Sequence, residues 1–519
     1  MTEPQRALPD PLDDAVAPPR RVSGSGGFRW SLVWTALGAL IPGLGLWHAG
    51  RRVSGAIAMG LFVALLATGG YLVTAGRDRL VALATNVDVL GGVAIGLLVL
   101  AVLWVGVVTV SHLALRPSEP SGVQRAVGGL VVGVLSLAIA APMAVGAEMS
   151  WSAARALSAV FSDDDPPAPG EPPVTDPWAN KERLNVLVIG GDSGTNRDAS
   201  LGLRADAVMV ASINTHTGAS TLFSLPRQTA RIPFPKDSPL HRYYPNGFFD
   251  GVNGGNPEYF LNAMYNNAPL RIPKDLLGKK VKNVGAEVMK IGIGEALGLG
   301  TIDYYVIINM DGFKEFINAL GGITLNVNYR IPIGGKTTEG VPPSGWIEPG
   351  PDKHLNGRLA LWYARGRYGV KGADYSRMER QRCVINAVVA QARPDVVLTN
   401  FEKLAAAGSK TIQTDIPRRT LPDLIEVALK VKNTSLHSVV FQPGVAGWVS
   451  ANPPWASVQR RVQQALKEAD KAEAKKSASA SPTATATSTP TSSSSPKPSK
   501  SSTPKTDDLS NSCAYRPQK

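Results

Sequence analysis

The sequence predicts an α/β protein on a membrane anchor: N-terminal transmembrane helices, a mixed α/β sandwich on the extracytoplasmic side, and a disordered C-terminal tail. Three observations predict it. Between residues 30 and 148, apolar runs of membrane-spanning length follow one another. From residue 184, short glycine-bounded apolar runs alternate with segments of helical length. From 476 to 510 the chain is almost entirely Ser, Thr, Pro, Ala and Lys, too poor in apolar surface to fold. Of the 519 residues, about 300 are left for one large core. Lys and Arg number 54 against 41 Asp and Glu, a balance of +13, and two cysteines exclude a zinc cluster or a disulfide framework. This composition excludes a cytosolic enzyme of ordinary build as well as collagen-like or wholly disordered chains.

The apolar stretches cover about Trp30 to Trp47, Val53 to Ala75, Val87 to Leu115 and Ala126 to Ala147. Arg6, Arg20, Arg21 and Arg29 keep the preceding tail in the cytosol, and Arg51-Arg52 and Arg116 with Arg125 mark further cytosolic turns. The first stretch breaks at Pro42-Gly43 after about a dozen apolar residues, so it is expected to enter and return rather than cross. Three helices then cross, and everything after Ala147 lies outside; four full crossings are the alternative. The expected organisation is a cytosolic disordered tail (1–29) and a transmembrane region (30–148). The latter has a re-entrant segment at 30–48 and helices at about 53–75, 88–115 and 126–147. A Pro-rich linker (149–180), a catalytic domain (181–450), a helical extension (451–475) and a Ser/Thr/Pro tail with a short Cys-containing end (476–519) follow.

Within the domain, LNVLVIG is a buried strand, and DAVMVASI and ASTLFSL form a hairpin across Asn214 to Gly218. Ala286 to Leu297 is a helix, Tyr304 to Asn309 a strand, Gly312 to Leu320 a helix and Ile323 to Val327 a strand. Leu355 to Tyr363 and Arg377 to Gln391 are helical. Residues 234–260 form a long loop with Phe234, Tyr243, Tyr244, Phe248 and Phe249. So many aromatics place it beside a ligand groove or make it a plug of the core.

Three constellations carry chemistry. The glycine-rich turn GGDSGTN follows the first strand, but no Gly-Lys-Ser/Thr makes it a P-loop. A nucleophilic Ser193 lacks a histidine base at any family spacing, and a plain tight turn is the other reading. Arg204-Ala205-Asp206 opens the next strand, so Asp206 and Asp192 are two carboxylates at the ends of successive strands. That pair suits Mg2+, which keeps waters and takes substrate phosphates as its other ligands; a surface ion pair is the plain alternative. The third constellation is densest: six arginines and Lys371 lie between Arg358 and Arg382, against Asp374 and Glu379. Arg365 and Arg367 alternate along an extended segment, Asp374 or Ser376 caps the next helix, and Arg377, Arg380 and Gln381 share its face. With Arg227 after a strand, guanidinium forks and a helix start converge on an anion. A solvated basic face is the alternative, and nucleic acid is a poor target outside the cell.

The order NVLVIGGDSG, RAD, SLPRQT, LNAMY, DYYVIINMDGFKEFINALGGITLNV and LNGRLALWYARGRYGVKGADYSRMERQ resembles the LytR-CpsA-Psr family over about Leu184 to Ala392. The resemblance implies transfer of a phosphate-linked glycopolymer from a polyprenyl pyrophosphate carrier to peptidoglycan on the outer membrane face. It implies that Asp192 and Asp206 hold Mg2+, and that Arg204, Arg227, Arg365, Arg367, Arg377 and Gln381 bind pyrophosphate beside Asp374. The catalytic set is then Asp192, Arg204, Asp206, Arg365 and Asp374. Arg380 joins the substrate-binding set by helix spacing alone. Two positions depart from the family: Gln228 stands where Asp is usual, and Phe260 occupies the segment that usually carries Lys. Both leave room for a non-catalytic module that binds wall polymer or lipid pyrophosphate.

Cys383 and Cys513 are the only cysteines, and both fall outside the membrane in this topology. A bridge between them would dock the stretch DDLSNSCAY behind the arginine helix; the alternative is a buried Cys383 and a free Cys513.

Overall fold

The structure, a computed structural model, describes residues 27–74, 83–84, 86–161, 178–192, 203–252, 255–336, 339–392, 412–479 and 506–517. Most of the segment expected as a cytosolic tail, most of the expected Pro-rich linker, Ser193 and most of the Ser/Thr/Pro tail lie outside these residues. The chain divides into two compact units, Met1–Leu80 with Asp88–Trp151, and Val81–Val87 with Ser152–Lys519.

In the first unit, α1 (Phe28–Leu40) and α2 (Leu44–His48) are separated at Ile41-Pro42-Gly43. Gly43 has φ 98°, and a Cβ there would run into the backbone of α3 (Arg52–Thr74) at Gly55. Helices α4 (Val87–Leu115) and α5 (Gly122–Val160) follow. Among the described residues three helices are long and apolar enough to cross a membrane, within Arg52–Leu72, Val87–Leu115 and Gly122–Val160. The last runs past Ala147 into the segment expected as linker. The reason is local: AEMSWSAARALSAV contains no glycine or proline, and its Ala, Leu, Met, Glu and Arg residues favour helix.

The second unit is built on a seven-stranded mixed sheet. Its strands are β1 (Arg183–Gly191), β2 (Ala205–Asn214), β3 (Ser220–Leu225), β4 (Tyr304–Ile308), β9 (Ile412–Thr414), β10 (Leu436–Val440) and β11 (Asp507–Asp508), in the order β11-β10-β3-β2-β1-β4-β9. β1 pairs antiparallel with β2 and parallel with β4, and β3 pairs parallel with β10. Alternate residues face opposite layers. Leu187, Ile189, Val208, Val210 and Phe223 enter a core completed by α6 (Leu261–Asn267), α7 (Val284–Leu297) and α12 (Trp455–Ser479). The other face meets α8 (Met310–Ala319), α9 (Gly357–Arg365) and α10 (Ala373–Gln391). These three enclose a second core with β5 (Ile323–Val327), the β6–β7 hairpin (Ile331–Lys336, Val341–Ile347) and β8 (Gly350–Leu355). The result is an α/β/α sandwich.

Three expectations need correction. Helix α9 starts at Gly357 rather than Leu355, because Asn356 caps it by accepting from the Leu359 amide at 3.0 Å. The segment expected as a helical extension is part of the core: Val458, Val462 and Ala465 of α12 are fully buried. The aromatic loop is a plug and not a groove wall. Phe234, Tyr244 and Phe248 pack in succession, with Tyr259 against Phe248, inside the core on the sheet face away from the arginines. Of the two readings of the cysteines, the bridge that docks the end of the tail is the one found. β11 pairs with β10, α13 (Leu509–Ser512) buries Leu509, and Cys513 is joined in a disulfide to Cys383 on α10. Asn326 and Asn328 donate to the carbonyls of Cys513 and Ala514.

Candidate active site

The strand ends assemble one side of the site. β1 ends at Gly191, and the Asp192 amide donates to the Arg204 carbonyl at 2.9 Å, continuing the β1–β2 ladder past a bulge. Because β2 runs antiparallel to β1, Asp206 lies at the start of β2 yet at the same sheet edge as Asp192. The end of β1 and the start of β2 thus bring the two carboxylates to the same end of the sheet. β3 is antiparallel to β2 and delivers Arg227 to that edge.

Helices α9 and α10 assemble the other side. Arg365 is the last residue of α9, Gly366 its C-cap, and Arg367 follows in the turn, so these arginines do not alternate along a strand. Gly372, at φ 83°, caps α10 without a side-chain bond. Neither Asp374 nor Ser376 caps it: Ser376 Oγ donates to the Lys371 carbonyl, and Asp374 turns to the arginines.

Four guanidinium groups face three carboxylates. Arg365 Nη2 lies 2.7 Å from Asp192 Oδ1 and 3.9 Å from Asp206 Oδ2. Arg227 donates from Nη1 to Asp206 Oδ1 and from Nε to Asp374 Oδ2, both at 3.0 Å. Asp374 Oδ1 lies 3.7 Å from Arg367 and 3.6 Å from Arg377. Arg377, only 2% exposed, donates to the Asp206 backbone carbonyl at 3.0 Å. Burial opposes the charge of Arg227, but Asp206 and Asp374 override it and raise its pKa. Arg367 is the opposite case. Burial, and then the neighbouring Arg227, lower its pKa more than Asp374 restores it. An added anion would therefore support its charge.

Three predicted residues behave differently. Arg204 pairs with Glu258 at 2.5 Å rather than with the three carboxylates; a hydrogen bond from Arg204, then one from Asn267, lower the Glu258 pKa. Gln381 reaches the Ala364 carbonyl at 3.5 Å. Arg380 is buried and donates to the Gly366 carbonyl at 2.5 Å. The departures at Gln228 and Phe260 leave the cluster intact: Gln228 is exposed, and Arg227 draws its carboxylates from Asp206 and Asp374.

Among the described residues no group of three or more His, Cys, Asp or Glu side chains can hold a metal. Asp192 and Asp206 nevertheless both lie within 4 Å of one nitrogen of Arg365, at 2.7 and 3.9 Å. Two carboxylates with the remaining positions left to water and phosphate are the donor set Mg2+ accepts, and the residues fit that ion.

The cluster opens onto a cavity of about 370 Å3. Asp192, Asp206, Arg365, Arg377 and Gln381 line one part; Val188, Met209, Phe313, Phe316, Val384 and Val388 are among the apolar residues lining the rest. Sequence reasoning missed this cavity and the Arg204–Glu258 pair. Part of the cavity had a signal: Val384, Ile385 and Val388 lie three, four and seven residues beyond Gln381 on one helix face.

Fold and site define a class, an α/β sandwich with a cationic cluster at the mouth of an apolar cavity. The chain belongs to the LytR_cpsA_psr family, whose profile matches residues 156–471. It is 26% identical over 325 residues to the polyisoprenyl-teichoic acid–peptidoglycan teichoic acid transferase TagU of Enterococcus faecalis, covering 61% of this chain and 89% of that protein. It is 27% identical over 269 residues to the TagU of Oceanobacillus iheyensis, covering 52% and 69%. Among solved structures it is similar to the protein gbs0355 of Streptococcus agalactiae, at 25% identity and TM-score 0.40, covering 56% of this chain and 89% of that one.

Proposed function

We propose that the protein is a membrane-anchored phosphotransferase that moves a phosphate-linked glycopolymer from a polyprenyl pyrophosphate carrier to peptidoglycan on the extracytoplasmic face. One observation carries the reading: a cluster of four guanidinium groups and two carboxylates opens directly onto an apolar cavity. A pyrophosphate and its hydrocarbon chain need those two environments side by side. The family and the names of the relatives support the same reading, and the three apolar helices supply the anchor.

In the reaction an acceptor hydroxyl oxygen bonds to the phosphorus that carries the glycopolymer. The bond from that phosphorus to the bridging oxygen breaks, and polyprenyl phosphate leaves with the bond's electron pair. The hydroxyl proton passes to a carboxylate or to water. Charge collects on phosphate oxygens throughout, so catalysis is mainly positioning and neutralisation. Arg367 and Arg377 hold the pyrophosphate oxygens with planar forks, and Arg365 bridges them to the strand-end carboxylates. Asp374 gathers three arginines around one point. Held at Asp192 and Asp206, Mg2+ would add further neutralisation of phosphate charge.

The test uses the full chain in nanodiscs with a polyprenyl-pyrophosphate-linked oligosaccharide. Polyprenyl monophosphate should appear with Mg2+ and stop with a chelator. Tight binding without release would replace the enzyme by a binding module. Wall-polymer analysis of a deletion strain would identify the polymer.

A further inference from the structure

Arg380 stands apart from the other arginines of α10. It is 4% exposed, does not line the cavity, and has no carboxylate within 4 Å among the described residues. Its Nη2 donates to the Gly366 carbonyl, its guanidinium lies 5.8 Å from the Tyr329 ring centre, and its Nε and Nη1 have no hydrogen-bond acceptor among the described residues. A buried cation so poorly matched is not a stabilising core element; an apolar side chain of similar volume serves a core better.

The carbonyl it holds is the informative part. Gly366 separates Arg365, aimed at Asp192 and Asp206, from Arg367, aimed at Asp374. On its other side the turn is wedged against the β6–β7 hairpin, where a Cβ on Gly366 would lie 2.7 Å from the Pro332 carbonyl oxygen. The Gly366 amide is bound to the Trp362 carbonyl at 2.7 Å. Gly366 is thus held on both of its peptides, its amide by the Trp362 carbonyl and its carbonyl by the buried Arg380 guanidinium.

We infer that Arg380 is a positioning residue: it orients the Arg365-Gly366-Arg367 turn so that two guanidinium groups meet one pyrophosphate, and it touches no substrate itself. The inference rests on the proposed phosphotransfer, and its test separates the two. Turnover of the polyprenyl-pyrophosphate oligosaccharide and binding of inorganic pyrophosphate with Mg2+ are measured on the full chain and on Arg380→Met and Arg380→Lys. Misplacing the forks by an ångström should lower kcat of Arg380→Met by about 10- to 100-fold with KM changed far less. Its thermal midpoint should hold or rise, because an unmatched buried charge is gone. Arg380→Lys, which keeps one donor for the carbonyl, should recover most of kcat. Should Arg380→Met not fold, Arg380→Gln carries the same comparison, since its shorter amide leaves the carbonyl unheld. Unchanged kcat in Arg380→Met would overturn the inference. So would a kcat loss matched by an equal loss of folded protein, or a raised KM at constant kcat. If the wild-type chain cleaves no lipid substrate, the phosphotransfer reading fails by itself. Pyrophosphate affinity then decides: a tenfold or greater loss in Arg380→Met upholds the positioning role, and equal affinity ends it.

Discussion

Asp374 and Asp206 show how differently two carboxylates of one site can be employed. Asp374 lies among three guanidinium groups and organises them, whereas Asp206 shares Arg227 on one oxygen and leaves the other near Arg365. Asp206→Asn should lower turnover by roughly 100-fold or more, since a carboxylate of the proposed Mg2+ pair and its charge are lost together. Arg227 keeps Asp374, so chemical denaturation should show a stability loss below about 2 kcal/mol. Lysine should fail at both turn arginines, in distinguishable ways. Arg365→Lys keeps one charge but loses the planar guanidinium whose Nη2 lies between Asp192 and Asp206, so the Mg2+ dependence of turnover should shift. Arg367→Lys should mainly weaken pyrophosphate binding, because burial and the neighbouring Arg227 disfavour the Arg367 charge and an added anion would support it. Near-normal kinetics in both variants would reduce the cluster to a diffuse positive field.

At the scale of elements, α10 is the shared wall of two chemistries. Arg377 and Gln381 face the strand-end carboxylates, and Val384 and Val388, further along the same face, line the apolar cavity. Val384→Phe should fill part of that space. Affinity for long-chain polyprenyl substrates should fall about tenfold, while inorganic pyrophosphate binds as before; equal losses for both ligands would separate cavity and lipid. The helix also shows what the sequence makes legible. Its arginines, its glutamine and the carboxylates after β1 and before β2 were readable because strand ends and helix spacing place them. The cavity was not, because its walls come from β1, β2, β4, α8, α9 and α10, and no local pattern joins segments so far apart. α12 was mistaken for an appendage because its charged residues mask an apolar stripe; Val458, Val462, Ala465 and Ala469 recur at helical spacing and are buried. The β6–β7 hairpin escaped notice because its prolines and glycines read as turns.

For the molecule as a whole, the Cys383–Cys513 bridge is a covalent long-range tie added to the sheet, and it closes a loop with a sequence separation of 130. In the chain-entropy picture such a loop contributes on the order of 4 to 5 kcal/mol. Cys513→Ser should therefore lower the denaturation midpoint of the full chain without changing kcat. Amide exchange should rise in β10, which loses its β11 partner, and near Arg382, which lies 3.8 Å from Asp507 of the docked segment. An unaltered midpoint would show that the segment docks without stabilising the domain.

The same bridge decides how tension travels. A load applied to the last residues enters at Cys513 and passes straight to Cys383, two positions beyond Gln381. β9, β10 and α12 are bypassed. A wall polymer or a neighbouring molecule tugging on the C-terminus would thus strain the arginine helix first. Pulled by its two ends, the oxidised chain should withhold residues 384–512 from extension. Reduction should release them as roughly 450 Å of new contour, at about 3.5 Å per residue.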